Sequence, residues 1–136
     1  MIYSGSCHCG DVRLEYETSE PISTWPLRAC QCGFCRKHGV VTTSISNANL
    51  RIHADVDAIQ EYTFALGVTR FQLCKRCGTY VAAISEYEGV QYAVVVANML
   101  DCRSQLTQTV TPVVYDDENP DTRLERRAER WAKLVS

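Results

Sequence analysis

The sequence predicts a mainly β fold organised around bound metal, with short helical turns and a C-terminal α-helix. Three observations carry that prediction. Apolar and polar residues alternate cleanly over Val12–Glu17, the period of a strand with one wet face. β-Branched and apolar runs recur at Val40–Ser46 and Val90–Ala97. Seven of the eight cysteines fall into three tight groups, at 7 and 9, at 30, 32 and 35, and at 74 and 77.

The chain order supports each element. Ser4–Gly10 is small and turn-forming, and its C-x-C spacing puts the Cys7 and Cys9 sulfurs on one side of the backbone. Gly5 and Gly10 would let backbone amides approach those sulfurs. The strand at Val12–Glu17 ends at Thr18–Pro21. Ile22–Ala29 holds Trp25-Pro26 and reads as an edge strand interrupted at the proline. Arg36–Gly39 reads as a helical turn closed by glycine. Val40–Ser46 is a strand, Asn47–Asn49 a turn, and Leu50–His53 and Ile59–Phe64 two more short strands.

Cys74-Lys75-Arg76-Cys77-Gly78 has the C-x-x-C-G form of a zinc knuckle, whose glycine takes a positive φ. Tyr80–Ser85 and Val90–Ala97 form a hairpin around Glu88-Gly89, and the second strand is apolar enough to be buried on both faces. Pro112–Tyr115 is a last extended piece. Asp116–Glu118 begins an acidic loop, with Asn119 as helix N-cap and Pro120 in the first helical position. Leu124, Ala128, Trp131, Ala132 and Val135 then share one face of a helix over about 120–135. Arg123, Arg126, Arg127, Arg130 and Lys133 occupy the rest, and such a face is ordinarily solvated and paired with Glu125 and Glu129.

Composition bounds the function. At 136 residues the chain is expected to form one domain, 1–136. A hydrophobic fraction of 46% against 22% charged is ordinary for a folded domain. A net charge of −2 argues against a dedicated nucleic-acid binder. No charged-then-apolar leader opens the sequence, and no apolar run approaches the roughly 20 residues of a membrane helix, so a soluble cytoplasmic protein is expected. In that reducing compartment eight cysteines favour metal ligation over disulfides.

Three thiols at Cys30, Cys32 and Cys35 are one short of a closed tetrahedral zinc site. Cys7, Cys9, Cys74 and Cys77 together would close one, leaving the trio open for water or substrate. Arithmetic also permits Cys74 and Cys77 to pair with two of the trio, which would strand Cys7 and Cys9. Cys102 stands alone, as a small semi-buried residue or as a fourth ligand. His8, wedged between two cysteines, is expected to point away from them. Beside the trio, Arg36 and Lys37 are candidates for a substrate carboxylate and His38 for a proton shuttle.

G-S-C-x-C-G at Gly5–Gly10, C-x-C-x-x-C-R-K at Cys30–Lys37 and C-x-x-C-G-T at Cys74–Thr79 resemble, in that order, the glutathione-dependent formaldehyde-activating enzyme family, whose domain also occurs in centromere protein V. The resemblance covers about residues 3–101. It implies a tent-like β-sheet fold with two zinc ions per chain. Cys7, Cys9, Cys74 and Cys77 would hold the structural ion, and Cys30, Cys32 and Cys35 the catalytic one. It also implies a carbon–sulfur lyase that joins glutathione and formaldehyde into S-hydroxymethylglutathione. Asn98 departs from the pattern, standing where the family often has glycine before Leu100-Asp101.

Two functions are thus expected as alternatives. One is a zinc-dependent lyase acting on thiol–aldehyde adducts, with the substrate thiol completing the three-cysteine site. The other is a non-catalytic, zinc-stabilised binding domain whose second site is filled by a fourth protein ligand.

Overall fold

In a computed structural model, the chain is described over residues 1–115 and 119–136; the expected acidic loop at Asp116–Glu118 lies outside the described residues. The fold is mainly β, with strands β1 (Ile2–Ser6), β2 (Arg13–Glu17), β3 (Leu27–Cys30), β4 (Thr42–Thr43), β5 (Asn49–His53), β6 (Ile59–Tyr62), β7 (Arg70–Cys74), β8 (Tyr80–Tyr87), β9 (Val90–Val96), β10 (Val110–Val113) and β11 (Ala132–Val135). Among the described residues, two α-helices, α1 (Gly33–His38) and α2 (Pro120–Arg130), and three short 3-10 turns accompany the strands. No helix among the described residues is long and apolar enough to cross a membrane.

Strand β9 is the hub of one open, branched sheet. Along one edge it pairs with β8 from Val90 to Val95. Its other edge is shared: β11 takes Tyr92 and Ala93, and β4 takes Val95 and Val96. From β11 the sheet continues through β5 and β2 to β1; from β4 it continues through β3 to β10; from β8 it continues through β7 to β6. The hairpin between β8 and β9 turns on Glu88 and Gly89, both at positive φ (52° and 79°), the combination a two-residue primed turn demands.

Period two gives β9 two buried faces, as its apolar run predicts. Ala93 and Val95 join a core with Leu14, Tyr16, Trp25, Leu27 and Leu50. Val94 and Val96 join a second core with Cys35, Phe71, Tyr80 and Trp131. In the first core Trp25 meets the rings of Tyr3 and Tyr16 edge-on at 4.8 and 5.1 Å. The second core lies beneath the trio of cysteines.

Several expectations are corrected. The strand at Ile22–Ala29 is not an edge: Ile22–Thr24 is a 3-10 turn, and β3 lies between β4 and β10. Pro26 precedes the first paired residue, so its missing N–H removes no ladder bond. The strand at Val40–Ser46 shortens to Thr42–Thr43, and β1 forms where only a turn was expected. The C-terminal helix stops at Arg130 because Trp131 turns extended (φ −83°, ψ 153°), and Ala132–Val135 becomes a strand wedged between β5 and β9. A segment as short as Ala-Lys-Leu-Val fits either period, and here two open strand edges decide it.

Gly5 does not serve a sulfur. A Cβ there would lie 2.3 Å from the Met99 carbonyl oxygen, so glycine is what lets β1 cross the Ala97–Met99 turn. Gly10, at φ 88°, sends its own N–H to the Cys7 carbonyl at 3.2 Å, and the turn it makes brings the Val12 N–H to Cys7 Sγ, as expected. Asn98 has a task in that same crossing: its Oδ1 accepts from the Val41 N–H at 3.0 Å and fixes the entry to β4.

Candidate metal centres and the adjoining cavity

The outer cysteine pairs meet. Cys7 and Cys9 lie on the turn between β1 and β2, Cys74 ends β7, and Cys77 lies on the turn between β7 and β8. The Sγ atoms of Cys7 and Cys9 are 3.7 Å apart and those of Cys9 and Cys74 3.6 Å, with all four sulfurs within 4.8 Å of one another. Tetrahedral zinc with bonds of about 2.3 Å sets its sulfurs about 3.8 Å apart, so this donor set fits the ion. Backbone geometry holds the knuckle open to it. Gly78 takes φ 75° and its N–H returns to the Cys74 carbonyl at 2.8 Å, while the Val12 N–H donates to Cys7 Sγ at 3.3 Å.

The trio forms a second cluster, its sulfurs also within 4.8 Å of one another. Cys30 ends β3, Cys32 is the N-cap of α1, and Cys35 sits in the first turn. The Cys35 N–H donates to Cys32 Sγ at 3.4 Å, so the sulfur replaces the oxygen usual at a helix cap. Gly39, at φ 62°, closes the helix as expected. A hydrogen bond from Cys35 holds the Cys30 thiol down at about 6, with a smaller contribution from the positive charge of Arg123. The same hydrogen bond, and then burial, push Cys35 upward. A soft cation bound among these sulfurs would displace their protons.

Among the described residues no fourth cysteine, histidine or carboxylate joins the trio. Cys102 lies in the other core, beside Leu100 and Leu106. His8 is exposed and outside the first cluster.

The trio instead faces space. A cavity of about 340 Å³ opens on Cys30 and Cys32, walled by Phe64, Phe71 and the loop 65–69, and bounded by Tyr115, Arg123 and Arg127. A smaller chamber of about 70 Å³ lies against Cys30 and Cys35, among Tyr80, Val94, Trp131 and Arg126. Phe34, between Cys32 and Cys35, sets its ring tilted 4.3 Å from Phe71 and edge-on 5.0 Å from Tyr80, fixing α1 to the apolar floor. Burial, and then the negative charge of the three sulfurs, raise the Tyr80 hydroxyl well above its ordinary value.

Arg36, Lys37 and His38 are exposed in the last turn of α1, and none lines either chamber. His38 packs its ring 4.4 Å from Phe34. The cations on the chamber walls are Arg28 of β3, in the smaller chamber, and Arg123, Arg126 and Arg127 of α2, whose arginine face was expected to be solvated. Arg127 is only 7% exposed; its Nη1 donates to Thr69 Oγ1 at 2.7 Å and to Ser85 Oγ, and its guanidinium lies 4.5 Å over the Trp131 ring. Arg126 covers the Tyr115 ring at 3.8 Å, and Arg123 Nη2 donates to the Tyr115 carbonyl at 2.7 Å. The signal in the sequence was the spacing of 123, 126, 127 and 130, a single helical face.

A family model described as glutathione-dependent formaldehyde-activating enzyme matches residues 2–116. The chain belongs to that family. Its fold is similar to a crystal structure of a Rhodobacter sphaeroides protein, a structural-genomics target, with 25% identity and a TM-score of 0.61 over 81% of this chain and 99% of that one. Within the formaldehyde-activating family match lie all seven clustered cysteines; α2 and β11 follow it.

Proposed function

We propose that this protein is a zinc-dependent carbon–sulfur lyase acting on thiol–aldehyde adducts, of the type that interconverts glutathione and formaldehyde with S-hydroxymethylglutathione. Two zinc ions per chain are part of this reading. Cys7, Cys9, Cys74 and Cys77 hold a structural ion that ties the β1–β2 turn to the β7–β8 turn, and Cys30, Cys32 and Cys35 hold the catalytic one. A reducing, cytoplasmic setting keeps these thiols available.

The observation that carries the reading is a three-thiol cluster facing a cavity of about 340 Å³ with no fourth donor among the described residues. Zinc bound there supplies a site for a substrate thiol and removes its proton. The chain's own residues do the rest. Phe64 and Phe71 shed water from the thiol's path, and the small chamber behind Cys30 limits the aldehyde to a few heavy atoms. The new bond joins sulfur to the carbonyl carbon. The carbonyl π pair moves to oxygen, which takes up the proton the thiol gave away, and nothing is oxidised or reduced. The non-catalytic alternative needs a fourth protein ligand, and Cys102 sits in the other core.

The test is exchange spectroscopy of a glutathione and formaldehyde mixture with the zinc-loaded protein. The interconversion rate should rise in proportion to protein, and Cys32→Ser should return it to the buffer value. A rate independent of protein would remove the formaldehyde assignment.

A further inference from the structure

We propose that helix α2 sets the substrate class: Arg123 binds a carboxylate of the thiol in the larger chamber, so that carboxylate-bearing thiols are selected over neutral ones. Arg127 acts as a positioning residue that holds the helix there. This rests on the lyase reading for its substrate, and it concerns a segment that lies after the residues the family model matches.

The argument is one of placement. The larger chamber is mostly apolar, and its lining also carries the sulfurs of Cys30 and Cys32 and the guanidinium groups of Arg123 and Arg127. A ligand that put its thiol at the sulfurs would meet those cations with its remaining polar groups. Of the two, Arg127 is nearly fully buried, bonded to two hydroxyls and stacked on Trp131, which suits an anchor. Arg123 is half-buried at the chamber wall, and its bond to the Tyr115 carbonyl orients its planar fork. That fork matches a carboxylate in a way a lysine ammonium does not. A chamber of about 340 Å³ is at the small end of ligand sites, sized for a short peptide-like thiol. Arg36 and Lys37, although next to the trio in sequence, are absent from the chamber walls.

The experiment compares glutathione and 3-mercaptopropionate with neutral 2-mercaptoethanol, each with formaldehyde and the zinc-loaded full chain. Wild type should favour the carboxylated thiols at least about tenfold in kcat/KM, and Arg123→Gln should abolish that preference, mainly through KM. Turnover of 2-mercaptoethanol should stay within about threefold, and Arg36→Gln should leave every thiol unchanged. Arg123→Lys should recover part of the preference, and it decides the question if the glutamine variant does not fold. A separate binding arm uses S-methylglutathione, which has carboxylates and no thiol: Arg123→Gln should weaken it about tenfold. If wild type turns over no thiol, the lyase reading falls, while the binding arm still decides the carboxylate site. An equal loss for charged and neutral thiols, or an unchanged affinity for S-methylglutathione, overturns the proposal.

Discussion

Arg127 donates to Thr69 Oγ1 at 2.7 Å, and this bond fastens the C-terminal helix to the loop beside the cysteine trio. Both residues are buried, and Ser85 accepts from the same Nη1, so two hydroxyls accept from a charged group held out of bulk water. Arg127→Met should cost about 2–3 kcal/mol in urea unfolding, because the partners lose a charged donor. Thr69→Val, which removes one acceptor of two, should cost about 1 kcal/mol.

The crossing of β1 over the 3-10 turn at Ala97–Met99 gives a steric prediction. A Cβ at Gly5 would stand 2.3 Å from the Met99 carbonyl oxygen, and backbone cannot move aside as a flexible side chain can. Gly5→Ala should destabilise the protein by about 1–3 kcal/mol. Because Cys7 lies two residues on, the same variant should weaken zinc at the outer site, read as faster release to a chelator.

The two clusters should respond differently to ligand loss. A structural zinc contributes on the order of 10 kcal/mol to folding, comparable to the whole stability of a domain. Cys74→Ser should therefore abolish a cooperative melt. Cys32→Ser should leave a folded protein with one zinc fewer and no turnover, since the trio joins only β3 and α1, neighbours in sequence. Metal analysis beside circular dichroism separates the two outcomes.

Alkaline stability has a named contributor. Burial raises the Tyr16 hydroxyl well above its ordinary value. In the unfolded chain it ionises near pH 10, so above that pH the unfolded state binds fewer protons and is favoured. Its contribution is intact below about pH 10 and is lost as pH rises toward the folded value. With zinc bound, Tyr16→Phe should show a shallower fall in stability above pH 10 than wild type does.

Local chemistry made much of this legible in the sequence. Cysteine spacing delivered the three local groups, because a turn that presents two sulfurs is encoded in a few adjacent residues; which pairs share a centre was left open by spacing and came only with the resemblance. The glycine closing α1, the Glu88-Gly89 turn and the Asn119 cap, whose Oδ1 accepts from the Thr122 N–H at 2.9 Å, are equally local. Residues whose fate depends on distant partners were not legible. Ala132–Val135 continued a helical spacing, but the edges of β5 and β9 draw it into the sheet. Arg127 looked solvated because nothing near it in sequence announces Thr69, Ser85 or the chamber. Arg36 and Lys37 drew notice through adjacency to the trio, yet α1 carries them to its exposed last turn.

The central claim is that the trio keeps a metal position open for a thiol, and zinc-edge X-ray absorption of the fully loaded protein reads it directly. Adding glutathione should raise the mean number of sulfur ligands per zinc, while S-methylglutathione should leave it unchanged. Two zinc ions per chain whose sulfur coordination does not change with saturating glutathione would contradict the account.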